Sequence, residues 1–383
     1  MNQEYQIAVY YYPDYHVDRR NEAWHGKGWT EWELVKGAGP RFQGHRQPKV
    51  PLWGYEDEAD PAVMQKKIAA AADHGITAFI FDWYWYEDGP YLQRCLEDGF
   101  LKAQNHKRLK FSLMWANHDL VDIHPALRNK PYNILKNGVV TPRAFFAAVD
   151  HMIATYFKQP SYWRVANGLY FSIYEIANFI KIFGGVAETR QGLQEFRRRV
   201  FAAGLGEIHL NAVVWGIQIL PTEMKIADVD GVLAELGFDS LTSYVWIHHQ
   251  DLPDFPKTSY AAIREKSGAD LEKFSAAYTL PYYPNVTMGW DASPRTIQSD
   301  VYDNLGYPFM PILEDNSPAE FEKALRQTKD FLDRGLTQPP ILTINAWNEW
   351  TEGSYLEPDT RNGMGYLEAI RNVFQKGDPQ LKK

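Results

Sequence analysis

The chain has 383 residues, 45% of them hydrophobic and 23% charged, which suits one large domain or two ordinary ones and excludes disorder and fibrous repeats. Forty Lys and Arg stand against 48 Asp and Glu, for a net charge of −8 with the basic residues scattered, so a nucleic-acid partner is not expected. The single cysteine, Cys95, closes no internal disulfide, and the apolar runs are too short to span a bilayer. The start, Met1-Asn2-Gln3-Glu4, lacks a basic stretch followed by an apolar one. A cytoplasmic setting without membrane insertion is therefore expected, or a periplasmic one had a leader been removed.

Short apolar runs rich in β-branched and aromatic residues predict strands at Ile7–Tyr12, Ala78–Trp83, Lys110–Trp115, Leu169–Tyr174, Leu210–Trp215, Leu241–Trp246, Val286–Trp290 and Ile341–Trp347. Helical periodicity lies between most of them. Asp60-Pro61, Thr141-Pro142 and Ser317-Pro318 each place a capping oxygen before a proline, whose missing N–H costs nothing in a first turn. Eight strands alternating with helices predict an α/β fold, a (β/α)₈ TIM barrel, and no glycine-rich phosphate loop follows the first strand as a doubly wound sheet would require. No Gly/Ser/Pro linker marks a second domain, so residues 1–383 are read as one barrel with a long insertion, Asp14 to Ala59, between the first strand and first helix.

In such a barrel the C-terminal strand ends converge on one mouth. The residues there are Tyr12 and Asp14, Asp82 and Trp83, Asn117 and His118, Tyr174 and Glu175, Trp215, Trp246 with His248, Trp290 and Asp291, and Asn348, Glu349 and Glu352. Aromatic residues are abundant, with 13 Trp, 23 Tyr and 20 Phe, and flat rings with polar edges suit the faces of sugars. The sharpest feature is Asn345-Ala346-Trp347-Asn348-Glu349-Trp350-Thr351-Glu352-Gly353, which sets two carboxylates three residues apart at a strand exit. Glycosidic cleavage needs such a pair, one group to protonate the leaving oxygen and one to assist charge developing at the anomeric carbon, with tryptophan walls expected to raise the pKa of one of them.

Other chemistries find less support. The chain has no His-Glu-x-x-His, P-loop, Gly-x-Ser-x-Gly or Cys-x-x-Cys pattern. Asp228-Val229-Asp230 has the spacing of a metal-binding transferase motif, but three-residue patterns arise often by chance. His248 and His249 are adjacent, so one at most faces the mouth, where hydrogen bonding to substrate is expected in place of a metal.

Two stretches carry a resemblance. Gly28-Trp29-Thr30-Glu31-Trp32 with Phe42-Gln43-Gly44-His45-Arg46-Gln47-Pro48, and Asn345 through Asp359, resemble signatures of WbsX-type proteins, often labelled glycosyltransferases and related to family 99 glycoside hydrolases, the endo-α-mannosidases and endo-α-mannanases. The resemblance runs from about Ile7 to Val373 and implies a (β/α)₈ barrel with retaining chemistry and neither cofactor nor metal. It implies that Glu352 is the general acid and then base, and that Glu349 removes the proton of a sugar 2-hydroxyl so that this oxygen attacks the anomeric carbon through a 1,2-anhydro intermediate. It also implies that Trp290, Asp291 and Arg295 belong to substrate subsites, and Trp29 and Trp32 in the long loop are expected to stack on sugar rings or close the cleft. Trp115-Ala116-Asn117-His118-Asp119 and Asp82-Trp83-Tyr84-Trp85-Tyr86 depart from the WbsX-type pattern, and the sugar identity with them. The expected function is a retaining hydrolase of an α-linked, mannose- or deoxyhexose-containing glycan. The alternatives are a transferase of cell-surface polysaccharide synthesis and a non-catalytic sugar-binding barrel.

Overall fold

The computed structural model describes residues 4–220 and 223–375. Its central sheet is a closed parallel barrel of eight staves. They are β1 (Gln6–Tyr11), β2 (Ala78–Tyr86), β3 (Lys110–Trp115), β4 (Gly168–Ile173), β5 (Ile208–Val213), β6 (Ser240–Thr242), a seventh made of β7 (Tyr282–Tyr283) and β8 (Asn285–Thr287), and β9 (Ile341–Asn345). Ile344 pairs with both Val9 and Val286, and Leu241 with both Ala212 and Tyr282, so the seventh stave joins both of its neighbours, one through each piece. Pro284 splits the seventh stave because it has no N–H to give the ladder; its carbonyl still accepts from Thr343 N at 2.8 Å.

All eight predicted strands are present; the fifth and eighth end two residues early, at Val213 and Asn345, and the sixth and seventh earlier still, at Thr242 and Thr287. Beyond Thr242 the chain leaves the sheet and turns into a short 3₁₀ segment, Trp246–His248, fastened where Trp246 N donates to Thr287 Oγ1 at 2.9 Å. The three predicted helix starts hold: the helices Pro61–Asp73, Pro142–Thr155 and Pro318–Asp333 begin where Asp60, Thr141 and Ser317 side chains accept from backbone N–H groups. Each cap contributes about 1 kcal/mol.

Within the barrel the floor is polar and partly cross-linked, with Ser112 and the Asn345 amide left without side-chain partners. Ser172 Oγ donates to Asn211 Oδ1, Asn211 Nδ2 donates to Ser240 Oγ, and Thr242 Oγ1 lies 3.1 Å from Thr343 Oγ1. Pairing of this kind holds buried hydroxyls and amides in position. They support the cavity above.

The long loop after β1 is structured. It carries two short helices, Arg19–His25 and Trp32–Gly37, and packs through Tyr15, Trp32 and Val35 against Trp350 and Tyr355. Under it Lys67 is buried with its ammonium 2.5 Å from Glu58 and 2.6 Å from Glu357. None of the described helices is long and apolar enough to cross a membrane.

Candidate active site

The eighth stave ends in a tight hairpin that builds the site. Asn348 and Glu349 pair antiparallel with Tyr355 and Ser354, and Trp350–Glu352 form one 3₁₀ turn between them. Gly353 closes the turn at φ 64°, and a Cβ there would lie 2.7 Å from Asp291 Cβ, so only glycine fits. The Asn348 amide clamps the first strand exit, accepting from Tyr12 N at 2.8 Å and donating to Tyr12 O at 2.6 Å. Both glutamates are thereby aimed into the mouth.

There they meet one guanidinium. Arg295, in the turn after the seventh stave, reaches Glu352 Oε1 at 2.5 Å, Glu349 Oε2 at 3.2 Å and Glu31 Oε1 at 3.0 Å, with Thr351 Oγ1 at 2.9 Å from its Nε. Tyr307 donates to Glu352 Oε1 at 2.7 Å and also contacts Arg295. On the other side the Tyr244 hydroxyl lies 3.2 Å from Glu349 Oε1 and 2.9 Å from Asp82 Oδ2. Glu349, Glu352, Arg295, Tyr307, Tyr244 and Asp82 line a cavity together with Tyr12, Tyr84, His118, His124, Tyr174, His248 and Trp290.

Four buried carboxyls around one cation cannot all ionise. Burial raises Glu349 and Asp82 well above the usual carboxylate range, with Glu352 the next contribution at Glu349. Burial also raises Glu352, opposed by Arg295 and the Tyr307 hydrogen bond. At Glu31 burial is outweighed by Arg295, His124 and Thr351, which hold it down at about 2. Burial and like charge thus favour the protonated form of Glu349, Glu352 and Asp82 while Arg295 favours an ionised Glu31, the kind of division that acid–base work uses. Desolvation and neighbouring carboxylates cause this. The tryptophan walls expected beside the pair face elsewhere: Trp347 packs on Phe79, and Trp350 stacks on Tyr355 and donates to Glu357. Burial lowers His248 to about 3 and His124 to about 4, so both are neutral.

The structure brings together Glu349, Glu352, Tyr12, Asp82, His118, Tyr174, His248, Trp290 and Arg295 on the cavity wall. Other expected sugar contacts lie elsewhere. Trp83 points out of the barrel onto Trp85 and Tyr156, because successive strand residues alternate and Asp82 takes the inward position. Trp246 packs on Tyr260 and donates to Asn285 O, since the sixth stave curls away after Thr242. Asn117 braces the backbone of Glu175 at 2.8 Å through both amide atoms, and Asn348 is spent on Tyr12 and Glu58. Trp32 is buried against Tyr15 and Trp350 and donates to Glu56 O. Asp291 is turned behind the hairpin, where His45, Gln47, Lys49 and Ser293 surround it and a separate groove begins. Trp215 is half-buried with its ring 6.3 Å from that of His248, and Trp29 is half-buried at the rim, stacked on His25 and 6.2 Å from His124.

Sequence reasoning missed Glu31, Tyr84, His124, Tyr244 and Tyr307. The period of two from Asp82 selects Tyr84 in place of Trp83, and Glu31 lies inside a quoted motif. His124 and Tyr307 lie in irregular loops, where no periodicity marks them.

Comparison with known proteins places this geometry. The structure of the GH99 endo-alpha-mannosidase from Bacteroides thetaiotaomicron superposes with a TM-score of 0.55 and 14% sequence identity, covering 97% of each chain. A structure described as a glycoside hydrolase-like protein reaches 0.65 at 13% identity, covering 97% of this chain and 94% of that one. These likenesses establish the TIM-barrel fold. The uncharacterized protein WxcX of Xanthomonas campestris pv. campestris (strain B100) is 28% identical over 375 residues, 97% of this chain and 50% of that protein, so the chain spans about half the length of this curated relative. The family model described as Glycosyltransferase WbsX matches residues 7–370, and the chain belongs to that family.

Proposed function

We propose that the protein is a retaining glycoside hydrolase acting on an α-linked glycan, of the mannose- or deoxyhexose-containing kind. The observation that carries this reading is the convergence of Glu349 and Glu352 on Arg295 within a tyrosine-lined cavity. In the proposed reaction Glu349 takes the proton of the sugar 2-hydroxyl while O2 bonds to the anomeric carbon. Glu352 gives its proton to the departing glycosidic oxygen as the carbon–oxygen bond breaks. Water then opens the 1,2-anhydro sugar, with Glu352 receiving the water proton and Glu349 returning its own to O2. Arg295 and Tyr307 favour the ionised Glu352 that remains once its proton has gone to the leaving oxygen.

The transferase reading draws on the family description. Against it, Arg295 is the one Lys or Arg among the described residues lining the cavity, and three glutamates already occupy it. A nucleotide diphosphate would find no free cation there. The decisive experiment incubates a panel of α-linked glycans with the protein and with Glu352→Gln, without nucleotide sugar, and measures new reducing ends. Release by the native protein alone supports the hydrolase. Silence, followed by nucleotide release once sugar donors and an acceptor are added, overturns it.

A further inference from the structure

Tyr244 stands between two carboxyl groups, and a phenol has one proton to give. Its oxygen is 2.9 Å from Asp82 Oδ2 and 3.2 Å from Glu349 Oε1. If both carboxyls were ionised, one of these contacts would set lone pairs against each other in a site with little water. A proton on either carboxyl turns the three oxygens into a continuous chain of donors and acceptors.

The surroundings decide which carboxyl holds it. Glu349 has the Arg295 guanidinium at 3.2 Å. Asp82 forms no ion pair among the described residues. The titratable groups facing it are Tyr10 from the first stave, Tyr84 from its own, Tyr244 from the sixth, and Glu349 and Glu352 from the eighth. All are tyrosines or acids. Its second oxygen, Oδ1, is buried without any hydrogen-bond partner, a place where a carbonyl oxygen costs far less than a charged one.

We propose that Asp82 is a carboxylic acid that keeps its proton at neutral pH, donates it to the Tyr244 oxygen, and through Tyr244 holds Glu349 as the ionised, proton-accepting member of the site. Asp82 and Tyr244 are then positioning residues: Tyr244 turns its own proton toward Glu349 because Asp82 supplies the other. The role of Glu349 as base rests on the hydrolase reading; the protonation of Asp82 does not. Burial raises Asp82 and Glu349 alike, and of the two only Glu349 has a cation, Arg295, opposing the rise.

The test is carboxyl NMR of the full chain labelled at the aspartate γ-carbon, in the wild type, Asp82→Asn and Glu349→Gln. One resonance absent from Asp82→Asn should sit at the acid position and stay there from about pH 5 to about pH 8, where ordinary aspartates are fully ionised. The same resonance at the carboxylate position overturns the proposal. A kinetic arm adds Asp82→Ala. Asparagine offers Tyr244 an N–H donor in place of the acid's O–H, so it should recover roughly ten- to a hundredfold of the turnover that alanine loses. Asparagine no better than alanine would mean that Asp82 works as an ion. A protonated Asp82 in a chain that cleaves no glycan would overturn the hydrolase reading alone, and glycan cleavage with an ionised Asp82 would overturn this proposal alone.

Discussion

Among the described residues two cations, Lys67 and Arg295, are buried among carboxylates, and they are opposite in construction. Lys67 lies beneath the first loop against Glu58 and Glu357, and each of its neighbours is used again: Glu58 accepts from Tyr11 and Asn348, and Glu357 from Trp350. Burial alone would lower Lys67, and the two glutamates outweigh it and raise it. Arg295 also holds glutamates, but its cluster faces a cavity, and within it Glu31 Oε2 and Asp82 Oδ1 have no hydrogen-bond partner. A closed cluster spends every polar atom on the fold. An open one keeps oxygens and protons in reserve, and that difference separates a brace from a candidate site better than the mere presence of buried charge.

The largest effects should separate the two clusters by kind. Glu349→Gln and Glu352→Gln are each expected to lower turnover about 10²- to 10⁴-fold with the melting temperature unchanged or raised, because each removes a carboxyl from an acid-rich cluster. Steady-state kinetics beside thermal melts checks this, and a parallel loss of stability would make the pair a second brace. Lys67→Met should do the opposite. It leaves Glu58 and Glu357 buried without their cation and should cost about 3–5 kcal/mol in denaturant unfolding, with the remaining folded molecules keeping the wild-type Michaelis constant.

A pH experiment sharpens the contrast at a third place, where Glu175 and Glu223 meet as buried acids. Burial and then Glu223 push Glu175 up to about 8 from its ordinary value of 4.5. A raised carboxyl means that the folded state binds the extra proton, so stability is greatest below the unfolded pKa and falls as pH rises from about 4.5 toward 8. Glu31, held down at about 2, has the reverse sign and loses its contribution as pH falls below its ordinary value of 4.5. Glu175→Gln keeps the oxygen that caps Ala177 N and removes the charge. It should raise stability at about pH 8.5 by about 2 kcal/mol and leave it nearly unchanged at about pH 4.5, measured by urea unfolding at both values.

The barrel was legible because its signals are periodic: eight apolar runs, and three helix starts whose caps follow from the geometry of proline and a side-chain oxygen. Glu349 and Glu352 were legible because one strand exit carries them both. Which way a neighbouring ring points was harder to read. Asp82 and Trp83 cannot share a face on an extended strand, and Trp246 was lost because the sixth stave stops at Thr242, a termination set by contacts with Thr287 and not by local sequence. The Arg295 cluster joins Tyr307 and Glu352, 12 and 57 residues away, to Glu31, 264 residues away. No spacing rule reaches that far.

The two tryptophans of the first loop repeat the same contrast at a smaller scale. Trp32 lies toward the closed side, 4.0 Å from the Tyr15 ring and 6.0 Å from Trp350, whose indole N–H is bonded to Glu357. Trp29 lies toward the open side, against His124, which lines the cavity and stands 3.8 Å from Glu31. Trp32→Ala should therefore lower stability by about 3–5 kcal/mol, as the removal of a buried indole does. Trp29→Ala should leave stability within about 1 kcal/mol of the wild type and raise the Michaelis constant roughly two- to tenfold, the weight of one aromatic contact with a ligand. Denaturant unfolding and glycan-concentration series on both variants decide between the faces of the loop. If Trp29→Ala destabilises as much as Trp32→Ala and leaves the Michaelis constant alone, the whole loop belongs to the closed side and the rim of the cavity lies elsewhere.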